Sequence, residues 1–101
     1  MPPPRSRRPD PKEQRDAATA LAIAALSFIA SEPERLGRFL ALTGIGPESI
    51  RTAAREPDFL LGVLDHLVGD EPLLLAFANQ NEIDPEQVAL ARDVLAAASE
   101  G

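Results

Sequence analysis

At 101 residues, with ten Lys/Arg against sixteen Asp/Glu, the chain has room for one domain of net charge −6. The absence of cysteine excludes disulfides, thiolate metal sites and cysteine nucleophiles, and is compatible with the cytoplasm. Four Phe, no Tyr and no Trp leave a core of Leu, Ile, Val and Ala, which suits packed helices better than a sheet.

Residues 1–10 read as a disordered, basic, proline-rich arm, and residues 11–101 as a single helical domain. The first sixteen residues are not expected to join the core. Basic residues precede the apolar run Ala17–Ala30, as in an export signal. Against export, Asp10, Glu13 and Asp16 intervene, and Phe28 spoils a small-x-small cleavage site. The run's fourteen residues are also fewer than the roughly 20 that span a bilayer. The expectation is therefore a cytoplasmic protein without a membrane partner. Asp10-Pro11-Lys12-Glu13 instead marks a helix start, with Asp10 as cap, Pro11 in the first turn and Glu13 reaching back. That helix runs to about Ala30 and is apolar nearly all round, so burial on most sides is expected.

Proline then recurs at 33, 47, 57, 72 and 85, each just inside a plausible helix start, which divides the chain into six short helices. Ser31-Glu32-Pro33-Glu34 reads as a capping box opening the second, with Leu36, Phe39 and Leu40 as its stripe. Phe39 through Pro47 forms a tight corner. Gly44 suits a left-handed position past the helix end, and Pro47 suits the first turn of a third helix reaching about Arg55. Pro57 opens the fourth helix, with Leu60, Leu61, Leu64, Leu67 and Val68 inward and Gly69 closing it. Asp70-Glu71-Pro72 opens the fifth, where Leu73, Leu74, Leu75, Phe77 and Ala78 cover more than half the circumference. Asp84-Pro85-Glu86-Gln87 opens the sixth, with Val88, Ala91, Leu95 and Ala98 on one seam and Leu90 and Val94 beside it. No stretch alternates with period two, so the fold class expected is all-α, a compact bundle of about six short helices.

The chain resembles a family of short bacterial proteins known as domain of unknown function 3572. The resemblance rests on Ser31–Leu40, on Thr43-Gly44-Ile45-Gly46-Pro47, and on Leu64-Asp65-His66-Leu67 through Gly69-Asp70-Glu71-Pro72-Leu73-Leu74. It spans roughly residues 17–97 and implies a compact helical domain without an established activity. No functional residue is carried over from it.

Three constellations bear on function. Phe39-x-x-Leu42-x-Gly44-Ile45-Gly46 resembles a helix-hairpin-helix, whose hairpin N–H groups bind a nucleic-acid phosphate without reading sequence. The candidate contacts are Gly44, Ile45 and Gly46, flanked by Arg35 and Arg38 on one helix and Arg51 and Arg55 on the next. Two residues depart from that motif: Glu48, which would face the phosphate, and Ile50, where a small residue lets the helices approach. The structural alternative is a tight corner with solvated arginines.

His66, the only histidine, lies near Asp65, Asp70 and Glu71, but no second histidine, phosphate loop, zinc spacing or EF-hand loop accompanies it. A solvated histidine near a helix C-terminus explains it as well. No catalytic, cofactor or metal residue is assigned, and no small-molecule substrate is evident.

The third constellation is an apolar surplus. The first and fifth helices carry more apolar surface than a domain this small readily buries, which leaves a strip for a partner protein or a second copy. Charge narrows the partners further. Residues 1–55 carry nine Lys/Arg against six Asp/Glu, whereas 56–101 carry only Arg92 against ten acids. The second half repels nucleic acid and anionic membrane. The function expected is a non-enzymatic protein-interaction module. The alternative is weak, sequence-independent nucleic-acid binding at Gly44–Pro47.

Overall fold

The computed structural model describes residues 10–100, the last of these in backbone only. Apart from Asp10, the expected arm lies outside the described residues. Six α-helices follow in order: α1 Pro11–Ala30, α2 Pro33–Thr43, α3 Ile50–Ala53, α4 Pro57–Val68, α5 Glu71–Gln80 and α6 Pro85–Glu100. A 3₁₀ turn, Pro47–Ser49, leads into α3. No strand occurs among the described residues, so the chain is all-α.

Most helix starts follow the proline punctuation. At α1, the Asp10 carboxylate accepts the Glu13 N–H at 2.8 Å while the Asp10 N–H donates to Glu13 Oε1 at 3.1 Å. Asp70 caps α5 by accepting from Leu73 N, and Gln87 reaches back to Asp84 N at 3.0 Å at the start of α6. The expected box at Ser31 does not form. Pro33 occupies the first position of α2, which makes Glu32 the cap, and Glu32 caps with no side-chain bond. Ser31 Oγ turns back instead and donates to Phe28 O at 2.7 Å, closing α1. In a two-residue corner one hydroxyl serves one helix end only.

The third expected helix is also shorter than its sequence implies. It begins as the 3₁₀ turn, with Ser49 N donating to Gly46 O, and α3 ends at Ala53. Arg55 and Glu56 donate to Thr52 and Ala53 in the tighter i−3 pattern. Glu56 is then extended, as the residue before Pro57 prefers. Gly69 closes α4 as expected, but at φ −79°, right-handed, because α5 starts at once and the chain need not reverse.

Packing centres on α1, α4 and α6, each of which touches the other two. The α4–α6 pair is antiparallel, since Asp65 meets Arg92 at one end while Ser99 Oγ donates to Asp58 Oδ1 at the other. Ala18 is the first core residue, and the core continues through Ala22, Ala25 and Ile29 of α1, Leu60, Val63, Leu64 and Leu67 of α4, and Val88, Ala91 and Leu95 of α6. Phe28 meets Phe77 of α5 edge to face at 5.4 Å, and Phe39 of α2 meets Phe59 of α4 at 5.8 Å. Each aromatic pair thus fixes an outer helix to the central three.

Several inward assignments are corrected. Val63, not Val68, is buried on α4: Val63 belongs to the core cluster, whereas Val68 sits on the last turn and is 38% exposed. On α5, Leu75 is 49% exposed, since neighbours cover only the side that carries Phe77 and Ala78. On α1, Ile23 is 45% exposed on the outer side, so this helix is not buried all round. The α6 seam stops at Leu95 and Ala98 is exposed. No described helix is long and apolar enough to cross a membrane.

Candidate interaction surface

Three places could carry a partner, and each is assembled from local features already described.

The first is the corner after α2. Gly44 has φ +76°, the left-handed region that glycine alone enters freely, and its N–H donates to Leu40 O at 2.8 Å. Thr43 Oγ1 donates to Phe39 O at 2.9 Å and accepts the Ile45 N–H at 3.4 Å. Two hairpin N–H groups that would face a phosphate are therefore already engaged. The Glu48 carboxylate folds across Gly46, near enough that a Cβ built there would lie 2.7 Å from Oε2. Ile50 packs against the core. The flanking arginines diverge in role. Arg35 turns toward α1, with its guanidinium 4.1 Å from the Phe28 ring centroid and Nη2 3.7 Å from Glu32. Arg38, Arg51 and Arg55 are exposed, and none has a salt-bridge partner among the described residues.

The second place is an open cleft of about 900 Å³ between α2 and the α4–α5 junction. His66 forms its floor and stands edge to face on Phe39, with ring centroids 5.2 Å apart. Arg38 and Leu42 make one wall, and Asp70, Glu71 and Leu73 the other. Burial lowers the His66 pKa below its usual 6.5. Asp70 opposes that shift and Arg38 adds to it, so the ring is neutral at pH 7. Asp65, expected beside His66, is taken by Arg92, whose own pKa is raised chiefly by the hydrogen bond to Asp65. No group of three or more His, Cys, Asp or Glu able to hold a metal occurs among the described residues. Two of the segments that carry the family resemblance meet around this cleft.

The third place is a groove of about 910 Å³ between the first half of α1 and most of the length of α6, from Gln87 to Ala98. Its floor is Ala17 and Leu21 from α1 with Leu90, Val94, Ala97 and Ala98 from α6. Leu90 is 62% exposed there. The apolar surplus of α1 reaches solvent in this groove, and its partner is α6, not α5. The sequence signal was present: Leu90, Val94 and Ala97 form a second stripe beside the Val88-Ala91-Leu95-Ala98 seam, wider than the core face of one helix needs. Charged residues at the rim are Glu13, Arg15 and Asp93.

No curated protein and no solved structure matches the chain. The family of proteins of unknown function DUF3572 matches over residues 15–98, a span that includes the cleft, the corner and most of the groove, and the chain belongs to that family.

Proposed function

We propose that this chain is a non-enzymatic protein-interaction module and that the α1–α6 groove is its binding surface. The observation that carries the reading is the groove itself, a continuous apolar floor open to solvent with Leu90 62% exposed at its edge. Leaving such a floor in water forgoes roughly 25 cal/mol for each Å² that a partner would cover. Leu42 on α2 is more exposed still, at 68%, but it stands among charged residues and not on an apolar floor. The test is chemical-shift mapping of the labelled chain in cell extract, paired with sedimentation of the pure protein. The expected result is broadening confined to Glu13–Leu21 and Gln87–Ala98. A strict monomer whose groove signals do not move would remove the reading.

A second reading, weak binding to a nucleic-acid backbone, draws on one observation: left-handed Gly44 lies in the chain between Arg38 on α2 and Arg51 and Arg55, all three of them exposed. Binding to a duplex would weaken with salt along a shallow slope, because few phosphates are met, and would drop further on replacing Arg51 and Arg55 by Ala. No binding to duplex or single strand at low salt would end it.

A further inference from the structure

The cleft between α2 and the α4–α5 junction holds opposite charges that do not meet. On α2, Arg35 is taken up by Phe28 and Glu32, which leaves Arg38 as the available cation of that wall. Arg38 is exposed and has no ion-pair partner among the described residues. On the facing side Asp65 is held by Arg92, but Asp70 and Glu71 pair with no cation among the described residues. Asp70 accepts the Leu73 N–H at 3.3 Å as the cap of α5, and Glu71 beside it is exposed. His66 lies on the floor between the two walls, and its neutral ring offers one donor and one acceptor nitrogen. Leu42 and Leu73 add an apolar side chain to each wall. The space enclosed, about 900 Å³, is of the size that takes a small molecule.

From this arrangement we propose that the cleft binds a small zwitterion. Its carboxylate lies against Arg38, its ammonium against Asp70 and Glu71, and a short apolar middle crosses His66 between Leu42 and Leu73. A guanidinium grips a carboxylate through paired N–H donors, and two neighbouring carboxylates suit an ammonium. A ligand with only one of the two charges leaves the opposite wall unpaired, so the selectivity for a dipolar molecule comes from both walls together. A nucleic-acid phosphate fits the Arg38 wall alone and is repelled by the carboxylates across from it. A flat protein face meets the rim, whereas the half-buried His66 on the floor is reached by a narrow chain. The cleft and the α1–α6 groove share no lining residue, so occupancy of one is separate from occupancy of the other.

The experiment titrates three ω-amino acids of increasing length into the full chain, isotope-labelled, at pH 7 and low salt. They are β-alanine, γ-aminobutyrate and ε-aminocaproate; butyrate and butylamine, with one charge each, run beside them. The expected result is saturable shifts at Arg38–Leu42 and at His66–Leu73, strongest for the one length that spans the gap. Butyrate and butylamine bind about fivefold more weakly than that zwitterion, the scale of one exposed charge pair. Arg38→Gln and Glu71→Gln each weaken the zwitterion by roughly the same factor. Glu71 is replaced in preference to Asp70, which also caps α5. Both replaced side chains are exposed, and matching thermal melts confirm that the variants fold. Equal affinity for butyrate or butylamine overturns the proposal, as does the absence of saturable shifts with all three amino acids. Shifts at the same residues on raising the protein concentration alone assign the cleft to a second copy and overturn it too. None of these outcomes bears on the groove, which is read at Glu13–Leu21 and Gln87–Ala98.

Discussion

The Arg35 guanidinium lies 4.1 Å from the centroid of the Phe28 ring, and its Nη1 donates to the carbonyl of that same residue at 3.5 Å. One side chain of α2 thus reaches both the ring and a part-buried carbonyl in the last turn of α1, where a cation is favoured. A residue that reads from sequence as a phosphate contact is a tie between two helices. Arg35→Ala is expected to lower stability by about 1 kcal/mol, the scale of one such interaction with its packing. Arg35→Lys should recover only part of it, since a point charge cannot stack as the planar group does. Urea melts of the three proteins check this.

The corner predicts a contrast between its two glycines. Gly44→Val places a β-branched residue at φ +76° and is expected to cost more than about 1 kcal/mol. Gly46 has φ −77°, open to any residue, and caps the 3₁₀ turn. Its only obstacle is the Glu48 carboxylate, the far end of an exposed and flexible side chain. Gly46→Ser should therefore melt within roughly 0.5 kcal/mol of the parent, as surface changes of this kind do. Wild-type melting of Gly44→Val would contradict the corner as described.

A third prediction comes from Glu82, the one non-glycine residue at positive φ among those described, at +55°. It ends α5 in a Schellman turn, in which Ile83 N donates to Ala78 O at 3.0 Å and Glu82 N to Asn79 O at 3.3 Å. Glycine is the usual occupant of that position, and a side chain there costs roughly 1–2 kcal/mol. Glu82→Gly is expected to raise the melting temperature, with up to about 1 kcal/mol retained once the freer unfolded chain is counted. A lower melting temperature would show that the Glu82 side chain stabilises the turn in some other way.

His66 sets a pH dependence. Its pKa is lowered in the folded chain, first by burial, so the unfolded chain binds the extra proton more readily. Stability is therefore undiminished above about pH 7.5 and falls as the pH drops through 6.5 toward the folded pKa. Titrating the single histidine by NMR should give a value below 6.5. Removing Arg38 should move it up and Asp70→Asn should move it down. A ring that titrates at 6.5 in all three proteins would place it in open solvent.

What could be read from the sequence was local. Most proline starts, the Asp10–Glu13 box and the left-handed Gly44 depend on a residue and its immediate neighbours, and these appear where expected, except that Pro47 opens a 3₁₀ turn ahead of α3. What escaped depends on a partner element. Ser31 was free to serve either helix until Pro33 fixed Glu32 as the cap. Val63 and Val68 are alike in sequence, and only the position of α1 and α6 separates them. Glu82 gives no signal at all, because its conformation is imposed by the 6→1 bond and by Ile83 packing against the core. The groove was half legible. The apolar excess of α1 was visible, but its pairing with α6 follows from the three-helix centre, which no stretch of sequence encodes by itself.

Arg92 is the sole cation between residues 56 and 101, and it bridges Asp65 on α4 and Asp93 beside it on α6. Its charge is neutralised within the fold, so no Lys or Arg of residues 56–101 offsets the other carboxylates of that half. The chain is thereby polarised along its length. In a gradient of potential it presents its later helices first to anything positive. Charged molecules then meet it at a rate that depends on ionic strength even where the final contact does not.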